Sequence, residues 1–372
     1  MNDALAAILA HPEAAGRQHK AAGGIVLGTL GAAAPAEVIR AAGTLPVRLR
    51  GDAASGTAQA DEWMEPVQEG ALRTIFQRLI SGDYDWLDAL IVPRSSEQLL
   101  QFYHLAEHVR QARPDTPLPQ IYLFNLLQTP KPRSTRFDRA EIAHLRQMLA
   151  TLTGRPVTDD AIRAEVRKAN AMRRQITALS SARRQGGPAV SGSDVLALSV
   201  AGQVMPTDEA TALIKQAHDW IRPRTGPQIL LWGSSLDNTC LTQTVEDAGA
   251  PIVAEDHDWG ERVWHHEVAK TDDPIDGLVE HYQYHAPTPR LAVEAEDARF
   301  EALLDEVRPN GVILALEAND DTIGWDVPRR VQAAKARGIP SLTLTRLSFF
   351  EQSPDTTERV NMFIRSLEET TQ

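Results

Sequence analysis

Cysteine is almost missing: Cys240 is the single thiol in 372 residues. One thiol forms no internal disulfide, and alone it cannot hold an iron–sulfur cluster, which ordinarily takes several thiolates. Long apolar runs are also missing. No stretch approaches the about 18 consecutive apolar residues of a membrane span. The opening "MNDALAAILAHPEAAG" has neither the basic start nor the apolar length of a signal peptide, so a cytoplasmic location is expected. Positive charge is in deficit. A net charge of −12 disfavours a general nucleic-acid binder, because phosphate contacts need concentrated positive surface. Three motifs are absent too. Without G-x-x-x-x-G-K-[ST] the chain is not expected to hydrolyse ATP, and neither a convincing G-x-G-x-x-G nor H-E-x-x-H marks a dinucleotide or zinc site.

What is present suffices for two α/β lobes: 42% hydrophobic residues and 24% charged ones, interspersed. The apolar runs "GGIVLGTL" (23–30), "LDALIVP" (87–93) and "PQIYLFNL" (119–126) and the alternating "LPVRLRG" (45–51) read as strands, and the segments between them have helical spacing. This is a βαβ series around a parallel sheet, assigned to residues 1–133 with an N-terminal helix. Over 134–224 the strand signal vanishes into amphipathic helices punctuated by Gly, Pro and Ser, including "SGSDVLALSVAGQ". A second α/β lobe, 225–372, follows with strands "PQILLWGSS", "APIVAED", "GVILALE" and "IPSLTLT"; "LDNTCLTQTVEDAG" reads as a helix and the His- and Trp-rich stretch after 256 as irregular. The expected fold is α/β: two flavodoxin-like or Rossmann-like lobes with parallel sheets and a helical insert between them.

Ligands of parallel α/β sheets sit beyond the carboxyl ends of the strands. That rule gathers Thr29, Gly31, Arg94, Ser95, Ser96 and Asn125 at one edge, and Ser234, Glu255, Asp256, Asn319, Asp320, Asp321 and Arg346 at the other. A cleft between the edges is the expected site.

Several stretches, in chain order, resemble the two-lobed subunits of the 2-hydroxyacyl-CoA dehydratase and benzoyl-CoA reductase family: "GTLGAAAPAEVIRAAGTLPVRLRGD", "ALIVPRSSEQL", "ILLWGSSLDNTCLTQTVEDAGAPIVAEDHDWGERVW", "GVILALEANDDTIGWDVPRRVQAAKARGIPSLTLTRL" and "TERVNMFIRSLE". The resemblance, to the D-component subunits in particular, implies flavodoxin-like lobes, pairing with a related subunit, a [4Fe-4S] cluster held at the lobe edges, and an ATP-dependent activator that delivers electrons. It places cluster cysteines near Gly31, near Ser95 and Ser96, and near Asn319 and Asp320, with a further one in some relatives at Asp258. None of these positions is cysteine here. The expectation is a cluster-free subunit that binds acyl-CoA and assembles with a cysteine-bearing homologous subunit, which holds the [4Fe-4S] centre.

Individual residues admit a structural and a chemical role. Ser95 and Ser96 precede a helix and suit N-capping, or contact with a thioester carbonyl or phosphate. Arg48, Arg94 and Arg50 suit coenzyme A phosphates by charge, with Ser234 beside them, or lie solvated on the surface. Asp320, Asp321 and Asp326 could transfer protons, while Asp326 also suits a helix cap. The arginines at 163, 167, 173, 174, 183 and 184 form either a phosphate-facing stripe or a face paired with acids. Five of the 11 histidines fall between 257 and 285; His257, Asp258, His281 and His285 are the candidate ligands if the chain is instead a metal-dependent enzyme, and packing residues otherwise. Trp259 and Trp325 either line an apolar pocket or anchor loops.

Overall fold

The computed structural model describes residues 3–129, 131–185, 189–286, 292–351 and 353–371. Two short helices, α1 (Asp3–Ala10) and α2 (Ala14–Ala21), precede the first sheet. That lobe runs β1 (Val26–Thr29), α3 (Ala36–Ala41), β2 (Leu45–Arg48), α4 (Gly70–Ile80), β3 (Ala89–Pro93), α5 (Glu97–Ala112) and β4 (Gln120–Phe124). All its strand pairs are parallel, in the order β2-β1-β3-β4. β1, β2 and β3 are buried at every position; β1 and β3 accordingly read as continuous apolar runs, whereas "LPVRLRG" alternates through Arg48 and Arg50, which are buried as well.

Four helices follow: α6 (Pro132–Thr153), α7 (Asp159–Arg184), α8 (Gly192–Val204) and α9 (Thr207–Ala217). The spacing of "SGSDVLALSVAGQ" predicts one apolar face, whereas α8 is buried nearly all round. Its Leu196, Val200 and Val204 join the core of the first lobe, and Val195, Ala197 and Leu198 pack with α7 and α9. The amides that open this buried helix are satisfied by the Glu246 carboxylate, which accepts from Gly192 N at 2.6 Å and Ser193 N at 3.1 Å.

The second lobe comprises β5 (Ile229–Gly233), α10 (Cys240–Asp247), β6 (Ile252–Asp256), α11 (Pro274–Tyr284), α12 (Val293–Val307), β7 (Gly311–Glu317), α13 (Asp321–Gly324), α14 (Val327–Ala336), β8 (Ser341–Leu347) and α15 (Pro354–Thr371). It repeats the first topology, with parallel strands in the order β6-β5-β7-β8. Helix α11 occupies part of the stretch expected to be irregular, and it leaves its own lobe. Leu278, Val279 and Tyr282 insert beside Val38, Ile39, Phe124 and Ile142 on the face of the first sheet. Tyr282 OH donates to Glu37 Oε2 at 2.7 Å, and Arg173 from α7 donates to Glu37 Oε1 at 2.6 Å. Burial works against the Glu37 charge, but Arg173, His281 and Tyr282 hold its carboxyl down at about 2, so the knot joining α3, α7 and α11 stays ionised.

Chain order reverses at the same place in both sheets, between β1 and β3 and between β5 and β7. The two resulting crevices face each other. Contacts between the lobes surround them: Asn319 Nδ2 donates to Pro66 O at 3.1 Å and Gln68 O at 3.0 Å, and Gly51 N donates to Asp237 Oδ2 at 3.2 Å. The Phe349 ring sits where Gly70 and Gly51 have no side chain; a Cβ on Gly70 would fall 2.6 Å from Phe349 Cβ.

Candidate functional site

A cavity of about 260 Å³ lies between the two crevices. Its walls include Leu30, Gly31, Arg48, Glu69, Ser95 and Ser96 from the first lobe and Trp232, Ser234, Asp237, His257, Asp258, Trp259 and Asp320 from the second. Most of these residues arrive there because a strand ends. At the close of β5, Gly233 lets the chain pass against the Ala315 carbonyl, where any Cβ would collide, and so delivers Ser234 to the cavity. Ser234 Oγ accepts from Glu317 N at 3.0 Å and supports the charge of Asp320. Ser96 caps α5, its Oγ accepting from Leu99 N at 3.2 Å, and Ser95 is buried beside Gly31. The capping and cavity-facing roles therefore coexist at one helix start.

Arg48 is the principal cation. It is 4% exposed, donates to Gln203 Oε1 and to Asp258 O at 2.7 Å each, pairs with the Asp258 carboxylate, and lies 3.7 Å over the Trp259 ring. The expectation that it is free for phosphate meets a guanidinium already engaged across the lobes. Trp259, at 3% exposure, is the wall behind it, while Trp325 is 81% exposed. Arg94 and Asn125 do not line this cavity, and Arg346 is exposed.

Carboxyl groups crowd the remaining wall. Glu69 is pushed up to about 8 by burial and then by Asp320 and Asp258. Glu317, at the end of β7 and outside the lining, rises to about 9 through burial and the neighbouring Glu69, Asp237, Asp320 and Asp258. Burial also raises Asp320 and Asp237, against the pull of Ser234 on the former and of Arg50 on the latter. Asp258 moves the other way: burial opposes its charge, but Arg48, Ser235 and His257 together hold it below the ordinary aspartate value. An ionised Asp258 thus stands in the wall beside Glu69, which stays protonated near neutrality, as does Glu317 outside the lining, so acids able to donate hydrogen bonds or protons adjoin the cavity. Among the carboxyl groups, Glu69, Asp237 and Glu317 carry no motif. Asp237 in particular sits where the sequence pattern predicts a helix, but α10 begins only at Cys240 and leaves 234–239 as a loop.

The other acids divide. Asp320 Oδ1 accepts from Thr322 N at 3.2 Å and Ile323 N at 3.4 Å, capping α13. Asp321 opens α13, but its side chain lies outside the described residues. Asp326 makes no capping hydrogen bond; its carboxylate pairs with Arg329 instead.

The candidate metal ligands do not converge. His257 and Asp258 belong to the cavity, whereas His281 is buried beside Arg173 on α11 and His285 stacks on His266 at 4.1 Å. Burial and then Arg173 lower His281 to about 3, which makes it a neutral packing residue. Among the described residues, no group of three or more His, Cys, Asp or Glu is arranged to hold a metal ion. The arginine stripe is likewise dispersed: Arg173 and Arg183 are buried against carboxylates, Arg184 pairs with Glu261, and Arg163 and Arg174 meet acids on the surface.

The four regions where the resemblance implies cluster cysteines meet at this one cavity, through Gly31, Ser95 and Ser96, Asp258 and Asp320. The donors there are hydroxyls and carboxylates, and Gly31 has no side chain. Cys240 is exposed at the start of α10 and is not part of the lining. A [4Fe-4S] cluster is bound through thiolates. The residues present do not fit it.

A family model described as 2-hydroxyglutaryl-CoA dehydratase, D-component, matches residues 32–367. A benzoyl-CoA reductase subunit from Thauera aromatica is 23% identical over 354 residues, covering 90% of this chain and 88% of that relative. Among the described residues, no helix is long and apolar enough to cross a membrane.

Proposed function

We propose that this chain, which belongs to the 2-hydroxyglutaryl-CoA dehydratase D-component family, acts as a cluster-free subunit within a 2-hydroxyacyl-CoA dehydratase or benzoyl-CoA reductase type complex. The observation that carries the reading is the convergence of Gly31, Ser95, Ser96, Asp258 and Asp320 on one cavity between the lobes with no thiol in its lining. Carboxylates and hydroxyls cannot store the low-potential electron that reductive acyl-CoA chemistry needs. That centre belongs in this reading to a cysteine-bearing homologous subunit, supplied by an ATP-dependent activator, and the assembly is cytoplasmic.

The role left to this chain is to bind and shape. A cavity of about 260 Å³ matches an acyl group and its thioester rather than a whole coenzyme A. Ser95 and Ser96, at the amide-rich start of α5, are the groups assigned to the thioester carbonyl. Ser234, Asp320 and Asp321 are assigned to the acyl side. Arg48 orders the lobes around the ligand, and Arg94 is assigned to coenzyme A outside the cavity. The carboxylic acid Glu69 in the cavity wall supports a second reading, a stand-alone enzyme that moves protons in the same cleft.

Co-expression with a cysteine-bearing homologue, followed by affinity capture and equilibrium dialysis against butyryl-CoA, tests the first reading. It predicts a stoichiometric heteromer that retains the thioester. A chain that elutes alone and binds no thioester contradicts it.

A further inference from the structure

A second, smaller cavity of about 60 Å³ adjoins the first and shares Gly31, Ala32 and Arg48 with it. Three guanidiniums line it: Arg40 from α3, Arg48 from β2 and Arg173 from α7. Two of them are neutralised. Arg173 pairs with Glu37 at 2.6 Å, and Arg48 pairs with Asp258. Among the described residues Arg40 pairs with no carboxylate, and its one hydrogen bond is long, from Nη2 to the Gly202 carbonyl at 3.4 Å. Its Nε is sealed without a partner, whereas Nη1, equally unpartnered, keeps accessible surface. Neighbouring acids do not make up the deficit. Both Glu37 oxygens are taken, by Arg173 and Tyr282, and Glu165 pairs with Lys168 at 3.0 Å. Burial pulls the Arg40 guanidinium below its ordinary value, with Glu37 the largest counterweight. One positive charge is left over in the cavity wall, and a partly buried cation with most of its donors unused is costly unless something meets it.

Neutral donors stand beside that charge. Thr29, at the end of β1, lines the cavity, and its hydroxyl makes no hydrogen bond among the described residues. The amides of Gly31 and Ala32, also in the lining, donate none either. At the about 15 Å³ that one water needs, the space holds about four waters, close to the four oxygens of a phosphate. We propose that this second cavity binds one tetrahedral oxyanion of phosphate size, with Arg40 Nη1 as its charged donor and the Thr29 hydroxyl as a neutral one. The planar guanidinium fork matches paired oxygens, which favours an oxyanion over a halide. The anion is free phosphate or a phosphate of a coenzyme A thioester, and the test separates the two. Binding of the free ion stands apart from the acyl-CoA reading, because it answers the chain's own unbalanced charge.

The test is calorimetric titration of the full chain with inorganic phosphate in low-chloride buffer near neutral pH, together with thermal unfolding in its presence and absence. Wild type is expected to bind about one phosphate per chain and to unfold at a higher temperature when phosphate is present. Arg40→Gln should weaken binding by at least about tenfold and lose the thermal shift, with Arg40→Lys recovering part of the affinity. Thr29→Val keeps the charge and the side-chain shape and should weaken binding by about threefold, so the proposal stays open to test if Arg40→Gln fails to fold. Without phosphate, Arg40→Gln should unfold no earlier than wild type, since it removes a charge that has no partner. Arg155 is exposed, and Arg155→Gln should bind as wild type does, which separates the cavity from general attraction to surface arginines. Competition identifies the source. Displacement by butyryl-CoA but not by butyryl-pantetheine assigns the site to a coenzyme A phosphate, and phosphate retained against both assigns it to the free ion. No saturable binding by wild type at millimolar phosphate, or undiminished binding by Arg40→Gln, overturns the proposal.

Discussion

Replacing Arg48 by methionine removes a buried tether between the lobes while keeping the aliphatic stem. The change deletes two hydrogen bonds of 2.7 Å, to Gln203 Oε1 and Asp258 O, together with the ion pair to Asp258 and the stack on Trp259. Breaking a buried pair by removing one partner costs about 3–5 kcal/mol. The Asp258 side chain is 28% exposed, so water recovers part of that loss, and the expected destabilisation is about 3 kcal/mol. Urea unfolding followed by tryptophan fluorescence measures it, since Trp232 and Trp259 both line the cavity. Asp258→Asn in the Arg48→Met background should cost less than in wild type, giving a coupling of at least about 1 kcal/mol. The pH dependence has a definite sign. The Asp258 carboxyl lies below its unfolded value, so the stability from this pair is present above about pH 4 and fades as pH falls through the folded value. The gap between wild type and Arg48→Met should therefore narrow in acid. A loss under about 1 kcal/mol, the size of an exposed pair, would refute the reasoning.

Three further outcomes are expected. Glu317 rises from 4.5 to about 9, so it favours the fold at low pH, and that contribution is lost as pH climbs from near 5 through 9. Glu317→Gln should gain at least about 2 kcal/mol on wild type between those pH values, read by unfolding at each; parallel curves would count against it. Gly70→Ala pushes a Cβ to 2.6 Å from Phe349 Cβ and should cost about 1–3 kcal/mol, with Phe349→Gly, which removes that Cβ together with the ring, relieving the clash; additive losses in the double variant would show that the Phe349 side chain is not the obstacle. Ser96→Ala removes the cap on Leu99 N and should lower stability by about 1 kcal/mol in thermal unfolding, whereas no change would mean the cap is replaced.

The two parallel sheets were legible because buried strands such as "LDALIVP" and "GVILALE" leave apolar runs with sharp Gly and Pro boundaries. What the periodicity could not convey was destination. Ile275, Leu278, Val279 and Tyr282 have ordinary helical spacing, yet nothing local says that α11 crosses to the opposite lobe. Helix α8 was legible as a helix and illegible as a buried one, since its small residues weaken any contrast between faces. At the site, the strand-end rule placed Ser95, Ser234 and Asp320 in one cavity because parallel topology forces that convergence. Glu69 and Asp237 escaped it, lying in loops whose path depends on contacts with the other lobe, such as Gly51 N to Asp237. Asp326 had the right position for a helix cap, but a nearby guanidinium competed successfully for its carboxylate.

The most direct test of the cluster-free assignment is to purify the chain without oxygen, alone and with its native partner, and to quantify iron and acid-labile sulfide per polypeptide. The lone chain should carry neither, and both should appear when the cysteine-bearing partner is present. Stoichiometric iron and sulfide on the lone chain would contradict the account.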